Sequence, residues 1–167
     1  MKYFKIRRKL MEKDKMAKIY DRWKNTVYRT ALTYCRNISD AEDITQEVFI
    51  TRFNTDKIFE SDENEKAWLI RVTINRSINL LKSFRYRNRI AFEEIELICE
   101  APEEIGLFNA VNKLPNKYRI VFYLYYVEGY SVSEIALLTS QSETNVQTKL
   151  YRARKKLKKM LKGEIEE

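Results

Sequence analysis

The chain has 167 residues and no histidine, so catalytic triads and metal sites that depend on imidazole are excluded. The two cysteines, Cys35 and Cys99, form no CxxC motif, and we expect reduced thiols in a cytoplasmic protein. Only 3 glycines and 2 prolines are present, which indicates long helices with few tight turns. No apolar run predicts a transmembrane span, and no apolar segment of a signal peptide follows the basic N-terminus.

The net charge of +8 is divided into blocks of opposite sign. Residues 1–36 carry +9 and residues 66–90 carry +7, whereas residues 37–65 carry −7 and residues 91–106 carry −6. Two basic blocks separated by an acidic one indicate surfaces for a polyanion such as nucleic acid. Solvated helix faces of alternating charge would produce the same pattern, so motifs have to decide between the two interpretations.

Residues 16–87 are predicted to form a small helical domain. Apolar residues three and four apart predict a first helix over Met16–Cys35. Ser39 and Glu42 match a capping box, which predicts the start of a second helix. The outward face of that helix is predicted to carry a compact group of acidic and amide side chains: Asp43, Gln46 and Glu47.

A loop and a long basic helix are predicted to complete this domain. Helical periodicity is absent from residues 54–65, where Phe59 is an isolated aromatic residue. From Lys66 to about Arg87 the periodicity returns, and basic side chains occur without a single carboxylate. Aromatic side chains such as Phe59 suit the stacking of unpaired bases. The polar residues expected to face nucleic acid are Arg71, Asn75, Arg76, Asn79, Lys82 and Arg85.

A flexible acidic linker is predicted over residues 88–106, because six glutamates in this segment disfavour compact packing. A second helical domain is predicted over residues 107–163, followed by an acidic tail at 164–167. In this domain a short helix ends before Pro115, which is expected at the first position of the next helix. Gly129 is expected to stop that helix in a left-handed conformation.

The last two predicted helices have the pattern of a helix-turn-helix. Ser131 and Glu134 form a second capping box, the break falls at residues 139–142, and a longer basic helix follows from Glu143. On the outward face of this helix, side chains suited to hydrogen bonds with bases lie near the N-terminus, and side chains suited to phosphate contacts lie further along. These outward residues are Thr144, Gln147, Thr148, Lys149, Tyr151, Arg152, Arg154 and Lys155. An ordinary amphipathic packing helix with a basic end is the alternative interpretation.

Five runs in order along the chain resemble extracytoplasmic-function sigma factors, the small promoter-specificity subunits of bacterial RNA polymerase. The resemblance implies an all-α fold with two small helical domains joined by the linker, the second containing the helix-turn-helix. It covers nearly the whole chain between Met16 and Leu161. The matching runs are Asp40–Phe49, Ala67–Asn75, Leu114–Pro115, Gly129–Ser131 with Glu134–Ala136, and Tyr151–Arg154.

The resemblance also implies partners and roles. Core RNA polymerase would bind Asp43, Gln46, Glu47 and Phe49, and the apolar surface around Val121–Tyr125 would be a second polymerase contact. Promoter DNA would meet the basic helix at the −10 element, with Phe59 and Asn75 near an extruded base, and the last helix at the −35 element. An anti-sigma factor is implied as a further partner. We expect no catalytic residue, metal, cofactor or small-molecule substrate.

Three features depart from the family pattern. Residues 1–15 form an N-terminal extension with no counterpart, and Glu60–Glu65 is acidic beside the DNA-facing Phe59. Gln147 stands where many relatives have a basic residue, which implies a different −35 preference. Two other functions are compatible with parts of the sequence: a stand-alone helix-turn-helix regulator, and a metal-dependent nuclease that uses Asp40, Asp43 and Glu47.

Overall fold

The computed structural model describes residues 2–83 and 109–163, with side chains described over 14–83 and 109–161. Within these ranges the chain is helical and contains no strand, which confirms the predicted all-α fold. The chain divides into two units, residues 1–89 and 90–167. The predicted linker and the acidic tail lie outside the described residues.

The first unit consists of three helices: α1 (Lys2–Cys35), α2 (Ile38–Phe53) and α3 (Asp62–Lys82). α1 packs against both α2 and α3, which also pack against each other. Aliphatic side chains from all three helices fill the core, in agreement with the predicted periodicity. The most deeply buried include Val27, Ala31, Ala41, Val48, Leu69, Ile70 and Ile74.

α1 and α2 begin earlier than the sequence pattern predicted. α1 starts at Lys2 rather than Met16, since residues 2–15 contain no glycine or proline that would break the helix. The N-terminal extension is therefore part of α1. α2 is capped by Asn37, whose side chain accepts a hydrogen bond from the Asp40 N–H at 2.9 Å. The capping-box prediction at Ser39 was wrong, because the helix starts at Ile38 and Ser39 therefore lies inside it, after the cap.

α3 begins within the segment that was predicted to be a loop. Ser61 caps the helix and accepts a hydrogen bond from the Asn64 N–H, so that Asp62 and Glu63 lie in the first turn. Carboxylates are stabilised there by the positive end of the helix dipole. The acidic run after Phe59 is thus explained by helix initiation. α3 ends at Lys82, and Arg85 lies outside the described residues.

The second unit contains a helical segment at residues 109–113, followed by α4 (Asn116–Tyr126), α5 (Val132–Thr139) and α6 (Glu143–Gly163). Pro115 is the cap before α4 rather than its first residue. α6 packs against α4 and α5, as expected for the last helix of a helix-turn-helix. One core cluster comprises Ala110, Leu114, Tyr118, Ala153 and Leu157.

The connections in this unit match the sequence signals closely. Gly129 has a φ of 77°, which confirms the left-handed stop after α4. The capping box of α5 is also confirmed, since the Ser131 N–H donates to Glu134 Oε2 at 2.8 Å and the Glu134 N–H donates to Ser131 Oγ at 3.3 Å. Ser140 occupies the left-handed region at the end of α5, and the next helix starts three residues later.

Candidate nucleic-acid interface

The outward face of α2 carries Asp43, Gln46 and Glu47, and all three side chains are exposed. We call these residues the acidic face. Phe49 was expected to join them, but it is only 3% exposed and packs its ring 4.8 Å, between centroids, from that of Tyr20. Phe49 is therefore a core residue, on the side of α2 that also buries Thr45 one turn earlier. Ile50, which sequence reasoning missed, is the exposed apolar residue that follows Glu47 on this face.

Four of the predicted DNA-facing residues of α3 lie on one exposed stripe. The spacing of three and four residues brings Arg71, Asn75, Asn79 and Lys82 to the same side of the helix, and all four are exposed. We call these residues the polar stripe. It combines two cations, which suit phosphates, with two amides, which can donate to and accept from base edges.

Arg76 differs from its neighbours on α3 because it is bonded within the domain. Its Nη2 donates to Thr51 Oγ1 of α2 at 2.7 Å, and its Nη1 forms an ion pair with Glu47. Two residues expected to bind different partners, Arg76 for DNA and Glu47 for polymerase, are thus paired with each other. The structure does not bring Arg76 into the polar stripe.

The loop between α2 and α3 is fixed by an aromatic and cationic cluster. The Phe59 ring lies 5.5 Å, between centroids, from the Trp68 ring, and Cζ of Arg52 lies 4.8 Å from the Phe59 centroid. Nε of Arg52 in turn donates to Glu65 Oε1 at 2.7 Å. We call Arg52, Phe59, Glu65 and Trp68 the loop anchor. Phe59 is half-buried within it.

The outer face of α6 exposes most of the predicted base- and phosphate-contacting residues. Ser142 caps the helix, with its Oγ accepting from the Asn145 N–H at 3.2 Å, and residues 142–145 are exposed. The exposed predicted residues are Thr144, Gln147, Thr148, Tyr151, Arg152, Arg154 and Lys155. Asn145 is also exposed in the first turn and is absent from the predicted set, although its position and amide are visible in the sequence.

Two cations of α6 are engaged inside the unit. Lys149 is half-buried, and its Nζ donates to Gln141 Oε1 in the turn before α6. Burial, with Lys117 nearby, lowers the pKa of the Lys149 ammonium. A hydrogen bond from Arg152 lowers the pKa of the Tyr118 hydroxyl. Lys149 therefore stabilises the turn before α6. Its predicted outward position had indicated a DNA contact instead.

The apolar surface expected around Val121–Tyr125 is exposed only at the C-terminal end of that range. Val121 and Leu124 are buried in the core of the second unit. The exposed apolar residues are Tyr125, at the end of the predicted range, and Tyr126 and Val127 directly after it. Rings of Phe122 and Tyr126 stack beside this group with centroids 4.5 Å apart.

Family models match both units. The model of sigma-70 region 2 matches residues 19–87, and the model of sigma-70 region 4 matches residues 106–157. The chain belongs to the extracytoplasmic-function sigma factors. Its acidic face, polar stripe and loop anchor lie in region 2, whereas the outer face of α6 lies in region 4. The first part of α1, residues 2–18, precedes the matched region.

Curated sigma factors resemble the chain over most of their length. The RNA polymerase sigma factor SigV of Bacillus subtilis is 28% identical over 145 residues, which cover 84% of this chain and 87% of SigV. The extracytoplasmic-function sigma factor SigW of the same organism is 26% identical, and the match covers 90% of this chain and 91% of SigW.

Two solved structures share the fold. The sigma factor RpoE of Bartonella quintana, crystallised with the anti-sigma factor NepR, has a TM-score of 0.69 and 22% identity, covering 90% of this chain and 96% of RpoE. CnrH, in complex with the cytosolic domain of CnrY, has a TM-score of 0.63 and 24% identity, covering 89% of this chain and 88% of CnrH.

The parts of the chain that the structure describes contain no group of three or more carboxylate or thiol side chains placed to hold a metal ion. In particular, Asp40 is buried whereas Asp43 and Glu47 are exposed, so these three do not converge as the nuclease alternative required. None of the described helices has the length and apolar character needed to cross a bilayer.

Proposed function

We propose that this sigma factor directs core RNA polymerase to promoters through separate surfaces of its two units. The observation that carries the proposal is that each unit matches one sigma-70 region and exposes a face of the appropriate chemistry. Region 2, over residues 16–87, would bind polymerase and the −10 element. Region 4, over residues 107–163, would bind the −35 element, with residues 88–106 as the linker.

In region 2, the acidic face would dock on a basic surface of polymerase, with Ile50 as an apolar contact. Opposite charges across such an interface favour association and fix its orientation. The polar stripe would meet the −10 element, where arginine and lysine neutralise phosphates and the asparagines contact bases. Arg76 supports this arrangement by joining α2 to α3 through Thr51 and Glu47.

In region 4, α6 would enter the major groove of the −35 element with its N-terminal turns. Thr144, Gln147 and Thr148 lie where base edges would be met, and glutamine suits the paired donor and acceptor of adenine. Tyr151, Arg154 and Lys155 follow where the groove wall would present phosphates. The exposed aromatic group at Tyr125 and Tyr126 would be the second contact with polymerase.

We also infer that an anti-sigma factor regulates this protein, because solved structures of this fold contain one: RpoE with NepR, for example. The protein would act in the cytoplasm, by binding alone and without catalysing a reaction. Its two described units would offer such a partner the same exposed faces that polymerase uses.

The test is reconstitution with bacterial core RNA polymerase and a library of random duplex DNA. Sequence-dependent initiation, giving one promoter with two spaced elements, would support the proposal. Tight binding to duplex DNA without polymerase, and no initiation with it, would favour the stand-alone regulator.

The polymerase surface is tested with charge variants. Asp43→Lys should weaken association with core polymerase by about tenfold, on the order of one close charge pair. Asp14→Lys is the matched control, since Asp14 is an exposed carboxylate of α1 outside the acidic face. Equal affinity of the two variants would place the polymerase contact elsewhere.

A further inference from the structure

Two arginines of α6 are held by tyrosine hydroxyls of α4. Nη1 of Arg154 donates to the hydroxyl of Tyr126, the last residue of α4, at 3.4 Å. Arg152 donates to the hydroxyl of Tyr118, which lies in the first turn of α4. Successive residues of a helix are rotated by about 100°, so Arg152 and Arg154, two positions apart, leave α6 on opposite flanks. The two ends of α4 thus hold the two flanks of α6.

The acceptor in both contacts is a neutral hydroxyl. In region 2, Arg52 and Arg76 are instead paired with carboxylates, which compensate their charge. A tyrosine hydroxyl occupies one N–H donor of a guanidinium and leaves its charge and its other donors available. Both contacts therefore restrict the orientation of an arginine without neutralising it, which is what a group that binds phosphate requires.

The two tyrosines differ in how firmly they are fixed. The Tyr118 side chain is buried and belongs to the core cluster that includes Ala153, the residue after Arg152. Tyr126 is 48% exposed, and its ring packs only beside that of Phe122 and the neighbouring Tyr125. We therefore expect Tyr118 to restrict its arginine more strongly than Tyr126 does.

Further cations lie around Tyr118. Nζ of Lys117 is 5.1 Å from the centroid of the Tyr118 ring. Burial and the nearby Lys117 lower the pKa of the Lys149 ammonium, so Lys149 is close to the same place. Lys117, Lys149 and Arg152 thus lie together on this flank, which suits a phosphate of the DNA backbone.

We propose that Tyr118 and Tyr126 are positioning residues for −35 recognition, each of which holds one arginine of α6 within reach of the DNA backbone. This inference rests on the proposed function, in which α6 enters the major groove and phosphates line both walls of that groove. An unrestrained arginine loses rotamer freedom when it binds a phosphate. Because the tyrosine contacts restrict this freedom before DNA is bound, less of it is lost on binding, and the complex is tighter.

The test measures binding of holoenzyme to the promoter duplex selected in the initiation assay. Tyr118→Phe keeps the buried ring and removes only the hydroxyl. We expect it to weaken binding about three- to tenfold, the range for one side chain that must be ordered on association. Tyr126→Phe should weaken binding only about twofold, since this side chain is less firmly fixed. The slope of log affinity against log salt should stay as in wild type for both variants, because no cation is lost.

Double variants separate a positioning role from a structural one. In an Arg152→Ala background Tyr118→Phe should have no further effect, whereas in an Arg154→Ala background its effect should be complete. Tyr126→Phe should show the opposite dependence. Damage to the fold or to the polymerase contact would not follow this pattern, because it would weaken binding in both backgrounds.

Tyr123→Phe is the matched control. Its hydroxyl also lies on α4 but donates to Glu128 at 2.7 Å, so the variant should bind DNA as wild type does. If Tyr118→Phe binds as wild type does, or if its effect persists in Arg152→Ala, the inference is overturned while the proposed function stands. If wild-type holoenzyme does not distinguish the selected promoter from one with a scrambled −35 element, the proposed −35 contact fails, and this inference fails with it.

Discussion

Arg52 and Glu65 join the end of α2 to the first turn of α3, and their side chains are only 11% and 8% exposed. Arg22 and Asp62 form a second ion pair, between α1 and α3, but these side chains are 52% and 57% exposed. Both pairs link helices of the same unit, so they differ mainly in burial. Water screens the attraction within the exposed pair. In the buried pair, each charge has lost its hydration and is stabilised by the charge of its partner instead.

We expect Arg52→Ala to lower the free energy of unfolding of the first unit by about 3–5 kcal/mol, because it leaves Glu65 buried without its cation. The measurement is chemical denaturation followed by circular dichroism. Arg22→Ala is the matched control and should cost less than about 1 kcal/mol, as for exposed pairs.

The double variant Arg52→Met/Glu65→Leu separates charge from packing in the same assay. It should recover most of the stability lost in Arg52→Ala, since no charge remains buried. Equal losses in Arg52→Ala and Arg22→Ala would contradict this account of the loop anchor.

Cys35 provides a pH dependence at the level of a single residue. Burial raises the pKa of this thiol from 9.0 to about 12, so the folded protein keeps it protonated where the unfolded chain ionises. The stability from this group is therefore complete below pH 9 and is lost as the pH rises towards 12. Burial raises the pKa of Tyr34 and Tyr130 as well, which acts in the same direction.

We expect Cys35→Ala to reduce the loss of stability between pH 9 and pH 11, because the variant has no thiol to ionise on unfolding. Denaturation midpoints of wild type and variant across this range are the measurement. Parallel curves would contradict the assignment. Cys35 should also resist thiol reagents at pH 8 until the protein unfolds, since the thiolate is the reactive form.

At the scale of elements, local chemical signals determined how well the sequence predicted the fold. Where only one residue could end or cap a helix, as at Gly129 or in the capping box of Ser131, the predicted helix boundary was confirmed. Where two residues competed to cap a helix, as Asn37 and Ser39 did, the pattern selected the wrong one. The start of α3 was missed because its first turn is acidic and carries no apolar periodicity, although Ser61 is a suitable cap.

Partners of individual side chains were not predictable in this way. The exposed stripe of α3 follows from spacing, since residues three and four apart share a face. The pairing of Arg76 with Glu47 and the packing of Phe59 on Trp68 depend on how α2 and α3 approach each other. No pattern within one helix contains that information. The roles predicted for Arg76, Lys149 and Phe59 therefore rested only on their positions in the sequence.

The turn of the helix-turn-helix allows a test at this scale. Ser140 has φ 54° and ψ 48°, and the N–H of Gln141 donates to the Ala136 carbonyl at 2.9 Å across the end of α5. Glycine is the residue that adopts this conformation without steric cost. We expect Ser140→Gly to stabilise the protein by about 0.5–1 kcal/mol, measured by thermal denaturation. Ser140→Ala keeps the Cβ atom and should give no such gain, so equal effects would contradict the argument.

At the scale of the whole molecule, the net charge of +8 is the sum of the charges on surfaces that have different proposed binding partners. Among the acidic residues of the first unit, Asp43 and Glu47 belong to the acidic face of α2, whereas Asp62, Glu63 and Glu65 lie in the first turn of α3. The cations are divided between those bonded internally, such as Arg52, Arg76 and Lys149, and those left exposed on the polar stripe and on α6. Only the exposed cations can release counterions from DNA, so the count of basic residues overstates the number of phosphate contacts.

This division leads to an expected salt dependence for promoter binding by the holoenzyme. Arg154→Ala should lower the slope of log affinity against log salt by about 1, because one exposed cation is lost from the phosphate-facing part of α6. Gln147→Ala removes no charge, so its slope should match that of wild type while the preferred −35 sequence changes. Arg52→Met/Glu65→Leu, which removes a cation that is already paired and buried, should also leave the slope unchanged. An unchanged slope in Arg154→Ala would mean that this side of α6 does not face the phosphates.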